Sequence, residues 1–214
     1  NEDNWIAINK PQGLSVHNQE DSENVITLLD KMNYTGYSPV NRLDKETSGV
    51  MLLSKDSKTT ASLQKTIQDD SVKIYTTGVR GSVKKKTGAW NNKMTNKAEG
   101  RVSPLGKSEQ RVLAKTEYKV LKQSKYISLL QIQIHTGRQH QIRKHCAFHK
   151  HQILGDPRYG DKKYNQLVNK IYSFSAMALH STVLKFQFNG KNINLEAALP
   201  ATWSAFDQEL TSAL

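Results

Sequence analysis

Val50-Met51-Leu52-Leu53 is an unbroken apolar run set between a polar loop at 41–49 and the turn signal Ser54-Lys55-Asp56-Ser57. A surface helix spaces its apolar residues three or four apart, and a half-exposed strand alternates them. A short continuous run therefore marks a strand covered on both faces. Such a strand belongs inside a layered domain, and the rest of the chain supplies suitable layers. Trp5-Ile6-Ala7-Ile8-Asn9 reads as a strand closed by Lys10-Pro11-Gln12-Gly13, where Pro fixes φ and Gly permits a positive one. Asp21-Ser22-Glu23 offers caps for a helix carrying Val25, Ile26, Leu28, Leu29 and Met32. A second helix follows Ser57 with Ala61, Leu63 and Ile67. Strands are expected at 72–79, 116–121, 126–135, 183–188 and 193–197, a helix at 139–148, and a short helix at the end. Strands and helices mix without βαβ regularity, so the fold class is α+β. No internal repeat or linker divides residues 1–214, which predicts a single domain.

Charge narrows the choice of partner. The 214 residues hold 31 Lys+Arg against 19 Asp+Glu, a net charge of +12. Lys and Arg displace counterions from phosphates, so the excess points to a polyanion and to binding that weakens steeply with salt. Charge alone does not separate RNA, DNA and anionic membrane. No apolar run approaches the roughly 20 residues that span a bilayer, and Asn1-Glu2-Asp3-Asn4 does not resemble a signal peptide. Cys146 is the only cysteine, which rules out an intrachain disulfide and fits a reducing, cytoplasmic setting. Residues 81–111 differ in kind from the rest. They are rich in Lys, Asn, Gly and Ser with few core formers, the composition of a binding loop or a mobile hairpin.

Two stretches carry chemistry. The first is Asn41-Arg42-Leu43-Asp44-Lys45-Glu46-Thr47-Ser48-Gly49, immediately before the buried strand. An Arg and an Asp on a polar loop can be a surface pair worth under about 1 kcal/mol. A turn at the mouth of a sheet can equally present a side chain to a cleft. Thr47 and Ser48 are able to bond the loop, and Gly49 lets another segment come close. The second runs His135-Thr136-Gly137-Arg138-Gln139-His140-Gln141-Ile142-Arg143-Lys144-His145, followed by Ile153-Leu154-Gly155-Asp156-Pro157-Arg158-Tyr159-Gly160-Asp161. Thr136-Gly137 suggests a helix N-terminus able to attract anions. From Gln139 on, Ile142 and Cys146 share a core stripe, with Arg143 one position off it at the core edge, a natural carboxylate partner.

Together these stretches resemble the RluA family of pseudouridine synthases. The family's Arg-Leu-Asp-x-x-Thr-Ser-Gly motif stands at 42–49, and its Thr-Gly-Arg-x-His-Gln-Ile-Arg-x-His motif at 136–145. Shorter echoes occur at 9–17, Lys73-Ile74-Tyr75, Leu179-His180 and Ala198-Leu199-Pro200. The resemblance implies a mixed, mostly antiparallel sheet with flanking helices and a central RNA-binding cleft. It implies that Asp44 is the catalytic carboxylate, that Arg143 pairs with it, and that Tyr75 stacks on the target base. Arg42 is expected to enter the gap left by the flipped uridine, with Lys45, Arg138 and His140 as further RNA contacts. It also implies structured rRNA or tRNA as partner, no metal, no organic cofactor and a monomer.

Departures from the family pattern are local. Asn41 stands where many members have His, and His151-Gln152 replaces a frequent His-Pro. No separate RNA-binding domain is expected before Trp5, so target choice falls to the catalytic domain, and the basic segment 81–111 is the candidate for part of it. Three other readings compete. His145 and His149 have the one-turn spacing of metal ligands, but no His-Glu-x-x-His accompanies them. A glycosidase or nuclease needs a second acid, for which Asp156 or Asp161 would serve. A non-catalytic RNA-binding module would keep the basic surface without needing Asp44, Tyr75 and Arg143 together.

Overall fold

The computed structural model describes residues 4–17 and 23–211. In chain order the elements are β1 (Trp5–Lys10), α1 (Val25–Lys31), β2 (Ser38–Pro39), β3 (Ser48–Ser54), α2 (Ser57–Asp69), β4 (Ser71–Arg80) and β5 (Thr87–Trp90). They continue with β6 (Thr116–Gln123), β7 (Ile127–Ile134), α3 (Gln141–Phe148), α4 (Lys162–Tyr172), β8 (Leu179–Phe188), β9 (Lys191–Glu196), a 3-10 turn at Ala201–Phe206 and α5 (Asp207–Thr211). The class is α+β, with a mixed, mostly antiparallel sheet. The chain forms two compact units, one from Asn1–Lys73 with Ser181–Ala198, the other from Ile74–His180 with Leu199–Leu214. Among the described residues no helix is long and apolar enough to cross a membrane.

The first unit is built around β3. All seven of its residues are buried, as the unbroken apolar run requires. β1 pairs with it antiparallel from Trp5↔Ser54 to Lys10↔Gly49, and β2 pairs through Ser38↔Ser54. Val50 and Leu52 join Val40, Leu63, Ile67, Leu184, Phe186 and Ala197 in one core cluster. α2 contributes Leu63 and Ile67 to it and is capped by the Asp56 carboxylate, which accepts from Thr59 N at 2.7 Å. The cap of α1 is Asn24, one residue beyond the expected Asp21-Ser22-Glu23. Its side chain accepts from Thr27 N while the Thr27 hydroxyl accepts from Asn24 N, a reciprocal box. Asp21 and Ser22 lie outside the described residues.

Gly49 is the residue that β3 could least exchange. Its φ of +112° is a conformation side-chain-bearing residues avoid, and an added Cβ would strike the Ser181 backbone, 2.6 Å from its nitrogen. The close approach anticipated at Gly49 is therefore made by β8.

In the second unit the strands run β4-β7-β6-β5. β6 pairs antiparallel with both β5 and β7, with a register shift between Val120 and Lys122. The larger core gathers Val79, Leu130, Ile132, Ile142, Cys146, Leu154, Phe174 and Phe206, among others. The basic stretch after β4 has more internal structure than its composition promises. Val83, Trp90, Met94 and Leu105 are buried, and Met94, Leu105 and Ala114 form a small core of their own. Met94 and Val112 exchange backbone hydrogen bonds at 3.0 and 2.9 Å.

Gly49→Ala combines a strained φ with overlap against fixed backbone, and is expected to cost about 3 kcal/mol or more. Urea unfolding checks this, and an unchanged midpoint would contradict the packing described.

Candidate active site

The 41–49 loop in the first unit is fastened by backbone contacts. Lys10 pairs with Gly49 at the end of β1, which brings the Pro11-Gln12-Gly13 turn against the loop. Gly13 N donates to Lys45 O at 2.9 Å, and Gln12 Nε2 donates to Glu46 O at 2.7 Å. Thr47 N closes a turn onto Asp44 O at 3.0 Å. Asn41 secures the start of the loop to β3, because its Oδ1 accepts from Leu52 N at 2.7 Å.

Lys10 joins these pieces. Its side chain is fully buried, and Nζ donates to the carbonyls of Pro11 (2.9 Å), Leu14 (2.7 Å) and Lys45 (3.2 Å). Burial lowers its pKa to about 8, and the nearby charges of Asp44 and Glu46 partly oppose that fall. In the sequence Lys10 reads only as part of a turn. The available signal is a lysine ending an apolar strand just before Pro, where its stem is inside. Around it, Leu43, Thr47 and Ser48 are buried, Asp44 is half-buried, and Arg42 and Lys45 are exposed.

Arg143 and Tyr75 lie in the second unit. Tyr75 is half-buried on β4 and packs against the larger core. Arg143 is on α3 and is more deeply buried than a core-edge position implies. Asp156 grips one edge of its guanidinium, with Nε to Oδ2 at 2.8 Å and Nη2 to Oδ1 at 2.9 Å. Asp156 Oδ1 also accepts from Arg158 N at 2.8 Å and Tyr159 N at 3.0 Å. The guanidinium carbon lies 5.4 Å from the centre of the Tyr159 ring, and Tyr159 OH is 3.0 Å from His140 Nδ1. Asp156 thus holds Arg143 in place, a role that sequence spacing does not reveal. Asp161 caps α4 through Tyr164 N and pairs with Arg80 at 3.2 Å.

The rest of the 136–145 motif is mostly internal. α3 begins at Gln141, two residues later than expected, because His140 takes a left-handed φ of 55°. The amides ahead of it are used by side chains: Arg138 N donates to Gln141 Oε1 and Gln139 N to Asn96 Oδ1, both at 3.1 Å. That differs from the anion-attracting helix end suggested by Thr136-Gly137. Gln141 Nε2 donates to Lys115 O and Thr116 Oγ1. Buried Lys144 donates to Thr95 O at 2.7 Å, and burial lowers its pKa.

His145 is also buried, with its pKa lowered to about 4, chiefly by desolvation. It is therefore neutral at pH 7. Its Nε2–H donates to Asn92 O while Nδ1 accepts from the Thr116 hydroxyl. His149 stacks on Trp90 and bonds Asn92 Oδ1 at 2.8 Å. Among the described residues, no group of three or more His, Cys, Asp or Glu is arranged to hold a metal. Burial raises the pKa of Cys146 well above the usual thiol range. Of the residues assigned to RNA, Lys45, Arg42 and Arg138 are exposed, and His140 is half-buried.

Residues 4–148 match the family model for RNA pseudouridylate synthase. The chain belongs to that family. Its members are isomerases acting on RNA. A ribosomal large subunit pseudouridine synthase C of Rickettsia bellii is 34% identical over 210 residues, covering 94% of this chain and 67% of that protein. A ribosomal large subunit pseudouridine synthase D of Vibrio cholerae is 32% identical over 221 residues, covering 93% of this chain; the chain spans 66% of that relative's length. A tRNA pseudouridine synthase C of Vibrio parahaemolyticus is 26% identical, with 93% of this chain and 88% of that protein covered. Among solved structures, human RNA pseudouridylate synthase domain containing 4 superimposes with a TM-score of 0.79 at 26% identity, covering 98% of this chain and 90% of the other.

A buried guanidinium that loses its carboxylate is costly. Asp156→Asn is expected to destabilise this family member by about 3–5 kcal/mol. Chemical unfolding provides the check, and wild-type stability would show that Asp156 does not hold Arg143.

Proposed function

We propose that this chain isomerises a uridine to pseudouridine in structured rRNA or tRNA, with Asp44 as the catalytic carboxylate. One observation carries the reading. The family motif at 42–49 forms a loop tied at Asp44 O, Lys45 O and Glu46 O, so the Asp44 side chain stands on fixed backbone.

The reaction breaks the N1–C1′ bond, turns the uracil and rejoins it through C5. It involves no net redox change and no group donor, so the residues themselves suffice. Asp44 acts in its ionised form, by attack or by removing a ribose proton. A guanidinium facing the carboxylate orients it and balances its charge. We assign this role to Arg143. Its clamping by Asp156 supports the assignment, because a cation held in one orientation does not reorganise during the reaction.

Flipping the base out of its stack costs a few kcal/mol. Stacking on Tyr75 returns about 1–3 kcal/mol, and Arg42 fills the vacated place. Lys45, Arg138 and His140 contact the RNA backbone around the target. We take residues 1–214 to work as one catalytic domain, monomeric and cytoplasmic, on the RNA classes that the relatives' names specify.

Asp44→Asn is expected to lower pseudouridine formation about 1,000-fold or more, while RNA affinity stays within about threefold of wild type. Pseudouridine mapping in cells lacking the gene, rescued by wild type or by Asp44→Asn, supplies the test. A site lost on deletion and restored only by wild type is the expected result. Restoration by Asp44→Asn would refute the assignment, and no lost site at all would favour the binding module.

A further inference from the structure

Residues 84–115 carry nine Lys and Arg against two Glu, so seven of the chain's twelve net positive charges sit in 32 residues. All nine cations are exposed: Lys84, Lys85, Lys86, Lys93, Lys97, Arg101, Lys107, Arg111 and Lys115. Glu99 is half-buried and accepts from the Thr95 hydroxyl at 2.6 Å, which removes one of the two acids from the outer surface.

The inner side of the same stretch is anchored. Besides its small core, it is held by side chains of the 136–145 motif and the turns near it. Lys144 and His145 bond the Thr95 and Asn92 carbonyls, His149 bonds Asn92 Oδ1, and Gln141 bonds Lys115 O. Arg158 reaches toward the carbonyls of Ala98 and Glu99 at 3.4 and 3.5 Å. Polar backbone thus turns inward to buried partners, and cationic side chains turn outward on a fixed frame.

One simpler role covers part of this pattern. β5 ends the strand order of its unit, and lysines beside an open edge deter unwanted strand pairing. That accounts for Lys84, Lys85 and Lys86, which immediately precede β5. It does not account for Lys93, Lys97, Arg101, Lys107 and Arg111, which lie beyond the strand on the anchored segment.

We propose that residues 84–115 form a preformed phosphate-binding surface that grips the backbone of the RNA substrate outside the reacting nucleotide. The inference rests on the synthase reading and deepens it, because it says where the substrate's non-reacting part is held. Anchoring lowers the ordering cost of binding, since the cations are already presented. It also places the grip on the segment that fixes α3, so a bound backbone and Arg143 share one support.

The test compares two variants with equal loss of charge. One is Lys93→Gln/Lys97→Gln/Lys107→Gln/Arg111→Gln. The other is Lys58→Gln/Lys65→Gln/Lys163→Gln/Lys185→Gln, whose positions are exposed and lie outside the segment. The probes are a large-subunit rRNA transcript and unfractionated tRNA, titrated over a range of salt. Each lost phosphate contact reduces the slope of log K against log salt by about 0.7–0.9. The first variant is expected to lose about three to three and a half units of slope and at least about tenfold in low-salt affinity, with far-UV circular dichroism and Tm unchanged. The second stays within about threefold of wild type.

Equal losses in both variants would show that only net charge matters and overturn the proposal, as would unchanged binding in the first. Pseudouridine formation by wild type on the same RNA separates the two levels. An active wild type whose first variant binds normally sinks this surface alone. A wild type that binds through the segment yet never makes pseudouridine sinks the synthase reading while leaving the surface standing.

Discussion

A buried ammonium holds the 41–49 loop together. Lys10 places three hydrogen bonds onto carbonyls from the turn and from the loop after Arg42-Leu43-Asp44, at a position with no exposure to solvent. Removing a lysine from water is costly unless its donors are satisfied, and here three carbonyls satisfy them. The arrangement explains why two segments 35 residues apart in sequence go together. Lys10-Pro11-Gln12-Gly13 supplies a donor side chain, a second donor in Gln12 and a backbone amide at Gly13. All three meet carbonyls between Lys45 and Glu46 or in their own turn.

The second unit treats its cation in the opposite way. Arg143 is gripped by a carboxylate, and that carboxylate is fixed by two amides. The motif around it is largely scaffold. Gln141, Lys144 and His145 spend their polar atoms on β6 and on the 92–95 stretch. The 136–145 motif thus holds one cation steady and pins a basic segment beside it.

The framework is readable in the sequence because burial leaves a periodic trace. The apolar run at Val50 and the helix with Leu63 and Ile67 appear where their patterns put them. Pairing at a distance and single-residue backbone choices leave no such trace. Nothing in the spacing of Arg143 and Asp156 shows that they meet, since the bond depends on how the turn after α3 folds back. The left-handed φ at His140 shortens α3 by one departure from the helical region, which apolar periodicity does not register. Residues 81–111 look coreless because Met94, Leu105 and Ala114 are scattered, and only the returning chain brings them together.

If Asp44 acts from a loop whose position Lys10 fixes, loosening that loop must slow the chemistry itself. Single-turnover pseudouridine formation at saturating RNA, measured for Lys10→Met against wild type, tests this most directly, because saturation removes binding from the comparison. The expected rate is at least about tenfold lower in a variant that still folds and still binds RNA. A folded Lys10→Met variant that turns over at the wild-type rate would contradict the central claim.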